Sequence, residues 1–190
     1  MKPQRANSRN DALVEAAAEL FANQGYKATS MRDISKAVGM LPGSIYYHFP
    51  SKDALLLAIY ESGVERITEA LEAAVEPLDD PWDRLQAGMS AHIRAITQES
   101  AYTRVIFRVE PDDVPKYGSQ LIALRDRFET QFKSLVEDLP LAPWVDRHLL
   151  RLMILGAGNH ARLWFSPDGG QSPEEIGARF CRLVRDSICS

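Results

Sequence analysis

The sequence contains only two cysteines and no long apolar run, and each shortage narrows the possible classes of protein. Cys181 and Cys189 are eight positions apart, about 12 Å along a helix, which is too far for a disulfide bond. We therefore expect reduced thiols. No apolar run approaches the roughly 18 residues that cross a membrane, and the first residues lack the apolar stretch of a signal peptide. A cytoplasmic protein without membrane contact is expected.

Motifs for catalysis and metal binding are also missing. The sequence has no His-Glu-x-x-His or Cys-x-x-Cys spacing, and the four histidines are His48, His92, His148 and His160. It has no Gly-x-Ser-x-Gly elbow and no phosphate-binding glycine loop. Because no nucleophile, base and orienting group form a recognisable set, we predict a protein that is not an enzyme and uses no metal or cofactor.

Positive charge is scarce overall but concentrated near the N-terminus. The 190 residues carry a net charge of −4. Residues 1–60 contain seven Lys and Arg against five Asp and Glu, whereas residues 61–190 contain fifteen against twenty-one. This distribution hints at a phosphate contact at the N-terminal end.

The apolar residues recur at helical spacing between glycine and proline breaks, which predicts an all-α fold of about nine helices. Capping residues, such as Asp80 before Pro81 and Ser172 before Pro173, indicate helix starts. The predicted helices cover residues 9–24, 30–38, 42–49, 52–75, 81–98, 101–109, 119–138, 145–165 and 172 onward.

The second and third predicted helices, joined by a turn at Gly39, have the dimensions of a helix-turn-helix. The later helix has Ile45 and Phe49 as core anchors and otherwise offers small or polar side chains. Ser44 suits a base edge, the neighbouring tyrosines and His48 suit phosphates, and the following helix start adds Lys52. The predicted DNA contacts are Ser30, Arg32, Leu41, Pro42, Gly43, Ser44, Tyr46, Tyr47, His48 and Lys52.

Other interpretations of these residues stay open. Tyr46 and Tyr47 could pack between domains, His48 could be an ordinary surface imidazole, and Ser30 could be only a helix cap. For the whole chain, the alternative is a helical interaction or ligand-binding module that does not bind DNA.

Residues 30–55, preceded by Leu20-Phe-Ala-Asn-Gln-Gly-Tyr26, resemble the DNA-binding domain of the TetR/AcrR family of bacterial repressors. Asp33-Ile34, Gly39, Tyr46, His48-Phe49 and Ser51-Lys52 stand at the family's spacing, whereas Leu41 replaces a small polar residue. The resemblance implies a DNA-binding domain over residues 1–52 and a helical regulatory and dimerisation domain over residues 53–190. It implies a homodimeric repressor that binds a palindromic operator in double-stranded DNA and is released by a small-molecule effector.

The resemblance also implies that the last two long helices form the dimer interface. Small residues and an apolar face there permit close helix packing, and the predicted interface is Gly156, Ala157, His160, Ala161, Ile176, Phe180, Leu183 and Val184.

Residues 155–176 are similar to family members that respond to acyl-CoA or other CoA thioesters, so we expect an apolar or CoA-thioester-like effector. The predicted pocket is Met89, Arg104, Phe107, Arg108, Phe128, Phe132, Met153, Arg162 and Trp164. The arginines would pair with phosphates while Trp164 stacks on adenine or lines the pocket. Alternatively, the arginines face solvent and the aromatic residues are ordinary core.

Overall fold

The structure, a computed structural model, describes residues 4–98 and 100–188, and it confirms the all-α prediction with nine helices. No strand and no helix long and apolar enough to span a membrane occurs in those residues. The helices are α1 (Gln4–Gln24), α2 (Met31–Ala37), α3 (Pro42–His48), α4 (Lys52–Val75), α5 (Pro81–Thr97), α6 (Ala101–Arg108), α7 (Gly118–Glu137), α8 (Arg147–Trp164) and α9 (Pro173–Ile188), with a 3-10 turn at Pro111–Asp113. Cys189 lies outside the described residues, and Cys181 is a buried free thiol.

Local capping chemistry places most helix ends within two residues of the prediction. The Asp80 carboxylate accepts hydrogen bonds from the backbone N–H groups of Trp82 and Asp83 at 2.9 and 3.0 Å. Gly25 and Gly39 follow α1 and α2 with φ of +89° and +65°, a region that favours glycine. Only the start of α1 differs clearly, because helix-forming polar residues extend it ahead of the apolar repeat that begins at Leu13.

The described chain divides into two compact units, and each unit is built from two separate segments of the sequence. One comprises Met1–Val64 and Glu99–Arg125, and the other comprises Glu65–Gln98 and Asp126–Ser190. Residues from the middle of the chain thus join the N-terminal unit through α6, which packs on α1. The predicted boundary between residues 52 and 53 concerns function, and it stays a prediction.

The packing of α6 on α1 combines apolar burial with polar contacts at the edges. Phe21 on α1 and Val105 on α6 are buried. The Tyr102 hydroxyl on α6 donates a hydrogen bond to the Glu15 carboxylate on α1 at 2.7 Å. Tyr102 and Glu15 are 87 residues apart in the chain, so the unit depends on long-range packing as well as on local helix formation.

Helix α5 lies in the core of the second unit, where Leu85, Met89 and Ile93 are fully buried. Helix α9 packs on it so closely that a Cβ atom added to Gly177 would lie 2.7 Å from the backbone nitrogen of Ser90. Real Cβ atoms do not approach a backbone nitrogen so closely, and a glycine is therefore required at this crossing.

Candidate nucleic-acid interface

Helix α3 is held to its unit by one side chain and presents the rest of its surface outward. Ile45 is fully buried, and Phe49, directly after the helix, is half-buried. The structure thus places Ile45 as the predicted core anchor. The exposed fractions of Leu41 and Tyr47 are 76% and 89%. Pro42, Gly43, Ser44 and Tyr46 are also exposed, and His48 is half-buried.

The exposed face of α3 is not covered by other residues of its own unit. A Cβ atom added to Gly43 would meet nothing within 4 Å. The Tyr47 ring contacts the His48 ring edge-on, with centroids 5.5 Å apart. Leu41 occupies the N-cap position in an extended conformation and makes no side-chain cap hydrogen bond. The start of α3 is therefore an open backbone surface with small and apolar side chains, next to aromatic groups that carry hydrogen-bonding atoms.

The N-terminus of α2 is occupied by a carboxylate of the protein itself. Asp33 accepts hydrogen bonds from the Ser30 backbone N–H at 2.9 Å and from the Ser30 hydroxyl at 2.6 Å. The Asp33 N–H donates back to the Ser30 hydroxyl at 3.2 Å. These hydrogen bonds from Ser30 lower the pKa of Asp33. The arrangement corresponds to the cap interpretation of Ser30, whose backbone N–H and hydroxyl both donate to the Asp33 carboxylate.

Lys52 makes contacts that differ from the phosphate contact predicted for it. Its ammonium donates hydrogen bonds to the carbonyls of Tyr26 and Thr29 at 2.8 and 2.9 Å and lies 4.4 Å from the centre of the Tyr26 ring. The Tyr26 hydroxyl donates to Asp53, and the pKa of Tyr26 is raised by burial and by that carboxylate. Lys52 therefore fastens the loop between α1 and α2 to the start of α4.

Ser51 caps the start of α4, because its hydroxyl accepts a hydrogen bond from the Ala54 N–H at 3.0 Å. Two exposed cations of α2, Arg32 and Lys36, lie on the surface of the same unit. Lys36 was not among the predicted contacts. No local pattern in the sequence could reveal the contacts of Lys52, because its acceptors stand 23 to 26 residues earlier.

The residues predicted for the dimer interface divide into a surface group and a core group. Gly156, Ala157, His160 and Leu183 are exposed on α8 and α9, and Phe180 and Val184 are half-buried. Ala161 and Ile176 are buried in the core of their own unit, at 0% and 2% exposure, and offer no surface to a partner.

An apolar surface continues around this group. Leu149, Leu152, Met153, Leu163 and Trp164 of α8 are exposed, with a groove of about 250 Å³ between α8 and α9. The groove is lined by Met89, Met153, Ile154, Ala157, Phe180, Cys181, Leu183 and Val184.

The predicted effector residues are divided between the two units. Arg104, Phe107 and Arg108 lie in the first unit, on α6. The Arg104 guanidinium donates to Asn23 at 3.0 Å, and that of Arg108 donates to the Ala22 carbonyl at 2.5 Å. Their role here is to hold α6 against α1. In the second unit, Met89 and Phe132 are buried, Phe128 is half-buried, and Met153, Arg162 and Trp164 are exposed.

Helices α2 and α3 are short, are joined by a turn at Gly39, and leave most of α3 exposed. This arrangement is typical of helix-turn-helix transcriptional regulators. Residues 13–59 match the sequence profile of "Bacterial regulatory proteins, tetR family". Residues 78–188 match that of the "Tetracyclin repressor-like, C-terminal domain". The chain belongs to the TetR family, as its sequence motifs indicated.

Relatives of nearly full length agree with this assignment. The chain is 28% identical to the HTH-type transcriptional repressor KstR2 of Mycobacterium tuberculosis, over 97% of this chain and 94% of the relative. KstR2 of Mycolicibacterium smegmatis is 26% identical over 98% and 93%. The crystal structure of AibR with isovaleryl coenzyme A and operator DNA is 25% identical, with a TM-score of 0.76 over 92% of this chain and 97% of that one.

We predict that Lys52→Met lowers the free energy of unfolding by about 1 to 3 kcal/mol, because two partly buried carbonyl groups lose a charged donor. Urea denaturation followed by circular dichroism measures this. Lys36→Met, at an exposed lysine, is the control and should change the value by less than about 0.5 kcal/mol. Equal stability of the two variants would contradict the fastening role of Lys52.

Proposed function

We propose that the protein is a homodimeric repressor that binds a palindromic operator in double-stranded DNA and is released by a small-molecule effector. The observation that carries the DNA-binding part is the outward face of α3, held by Ile45 alone. In this proposal the protein acts in the cytoplasm, on DNA, and catalyses no reaction.

In the DNA complex, α3 lies in the major groove with its N-terminal end toward the bases. Gly43 lets the backbone approach, Ser44 hydrogen-bonds a base edge, and Leu41 contacts a thymine methyl group. The phosphates are bound by Tyr46, Tyr47, His48 and Arg32, and Pro42 starts the helix without needing an N–H partner. Ser30 and Lys52 are omitted from the contacts because the protein's own groups satisfy them.

A second copy of the chain covers the apolar surface of α8 and α9. Exposed leucine, methionine and tryptophan side chains on α8 continue into the groove beside Leu183. Such a contiguous apolar surface favours association. The proposed contacts are Gly156, Ala157, His160, Phe180, Leu183 and Val184, without the buried Ala161 and Ile176. Two-fold pairing presents two α3 helices to successive major-groove turns of a palindrome.

The effector binds within the second unit, and we propose an acyl-CoA or related CoA thioester. Support comes from the likeness to AibR, whose structure contains isovaleryl coenzyme A, and from the apolar side chains of Met89, Phe128 and Phe132. Arg162 and Trp164 remain candidates for the polar part of the ligand. Arg104, Phe107 and Arg108 are omitted because they lie on α6, in the first unit. There the two arginines donate hydrogen bonds to α1.

Effector binding acts by favouring an arrangement of the dimer whose two α3 helices no longer fit the operator. An effector shifts this equilibrium only as far as its affinities for the two arrangements differ. Helix α4 contributes residues to both units, so it joins them covalently. The competing proposal, a helical module that does not bind DNA, is decided by the first of the following predictions.

We predict nanomolar binding to the DNA upstream of the protein's own reading frame, with an affinity that falls steeply as salt rises. Tyr47→Ala should weaken binding to all sequences about fivefold, by loss of a phosphate contact, whereas Ser44→Ala should change base preference. Fluorescence anisotropy at two salt concentrations measures both effects. Trp144→Ala, at an exposed tryptophan of the second unit, is the control. Absence of binding at low salt would eliminate the repressor proposal.

We predict that Leu183→Glu converts the dimer to a monomer at micromolar concentration, because a charge enters the apolar groove. Sedimentation velocity reports the oligomeric state, and circular dichroism verifies that the variant is folded. Ile122→Glu, at an exposed isoleucine on α7, should leave the dimer intact. A wild-type protein that sediments as a monomer would refute the interface.

We predict that isovaleryl-CoA, or a longer acyl-CoA, weakens operator binding 5- to 150-fold, the usual range of allosteric coupling. Free coenzyme A and isovalerate serve as controls and should have no effect, since each lacks half of the ligand. The anisotropy assay measures the change. Unaltered DNA affinity in the presence of saturating CoA thioesters would exclude this effector class.

A further inference from the structure

His92 is a buried histidine in the core of the second unit that retains one unused hydrogen-bonding atom. The side chain lies on α5 and is 2% exposed. Its Nε2 atom is 2.9 Å from the Asn159 side-chain oxygen on α8. Its Nδ1 atom is buried and has no hydrogen-bond partner in the described part of the chain. A buried imidazole nitrogen without a hydrogen-bond partner is unfavourable, so this atom needs an explanation.

The surroundings of the ring are apolar and aromatic. The Phe128 and Phe132 rings on α7 have centroids 5.3 and 5.5 Å from that of His92. Gly158 on α8 lies directly beside the imidazole, and a Cβ atom at this position would be only 3.0 Å from the His92 Cδ2 atom. Burial lowers the pKa of His92 to about 4, so the ring is neutral at physiological pH.

The covalent geometry of the ring indicates where Nδ1 is directed. Cδ2 and Nε2 face α8, through Gly158 and Asn159. Nδ1 is on the opposite edge of the imidazole and is therefore turned away from α8. Phe128, which is half-buried, lies against the same ring. A ligand that displaces the half-buried Phe128 side chain would contact the His92 ring.

We propose that Nδ1 of His92 is the hydrogen-bonding atom for the buried part of the effector, and that this part is an uncharged, apolar body with a hydroxyl or carbonyl oxygen. The proposal rests on the effector site proposed above. The Asn159 amide can accept from or donate to Nε2, so Nδ1 can either accept from a hydroxyl or donate to a carbonyl. A carboxylate or ammonium group is disfavoured, because the aromatic side chains around the ring would bury its charge without an opposite charge.

The test uses probes that differ in one group: cyclohexanol, cyclohexanone, methylcyclohexane and cyclohexanecarboxylate. Nitrogen-15 NMR of the imidazole side chains of the full-length wild-type protein reports each Nδ1 resonance. We expect cyclohexanol and cyclohexanone to shift the His92 Nδ1 resonance in a saturable manner, in opposite directions if one donates and the other accepts. Methylcyclohexane and the carboxylate should not produce this shift.

A variant tests whether the nitrogen atom itself is responsible. His92→Leu should weaken cyclohexanol and cyclohexanone binding at least fivefold and leave methylcyclohexane binding unchanged, as measured by ligand-detected NMR. His148→Leu, at an exposed histidine of α8, should behave as the wild type. If His92→Leu does not fold, the wild-type resonance decides the question without it.

The proposal is overturned if neither cyclohexanol nor cyclohexanone shifts the His92 Nδ1 resonance up to its solubility limit, or if the carboxylate binds equally well. Operator binding is measured separately on the same preparation. Intact operator binding with an unresponsive His92 refutes only this inference, whereas absent operator binding refutes the proposed function.

Discussion

The burial of Ile45 is the constraint on which the position of α3 and its exposed face depend. A helix of seven residues is too short to be stable alone, so tertiary contacts must hold α3 in place. Ile45 is its one fully buried side chain, and burial at that position determines which residues face away from the unit. The outward display of Ser44 and Tyr47 follows from the placement of a single isoleucine rather than from any property of the polar residues themselves.

Much of the fold could be predicted because the signals that start and stop helices are local. Ser172 and Glu175 form a capping box within four residues, and Gly39 adopts the positive φ that its position after a short helix indicates. The outward face of α3 was predictable for a related reason, since aliphatic side chains are absent from most of it. These inferences need only a few consecutive residues.

The contacts that the sequence did not predict are those whose partners lie far away in the chain. Lys52 and Arg108 each look like surface cations, yet their hydrogen bonds go to carbonyls 26 and 86 residues earlier. Composition and spacing cannot supply such pairings, because they arise only when helices pack. His92 gave a signal that could have been used: it stands three residues after Met89 and four before Ile96, on the apolar face of α5.

The crossing of α5 and α9 has a consequence for laboratory evolution of the regulator. Ser90 and Gly177 meet through backbone atoms, so neither side chain relaxation nor a rotamer change can accommodate a larger residue at position 177. Randomised libraries that seek a new inducer should hold this glycine constant and diversify α5 on the side occupied by Met89 instead. Otherwise, many variants would fail to fold because α9 could not pack on α5. Their inactivity would then be mistaken for a lack of response to the small molecule.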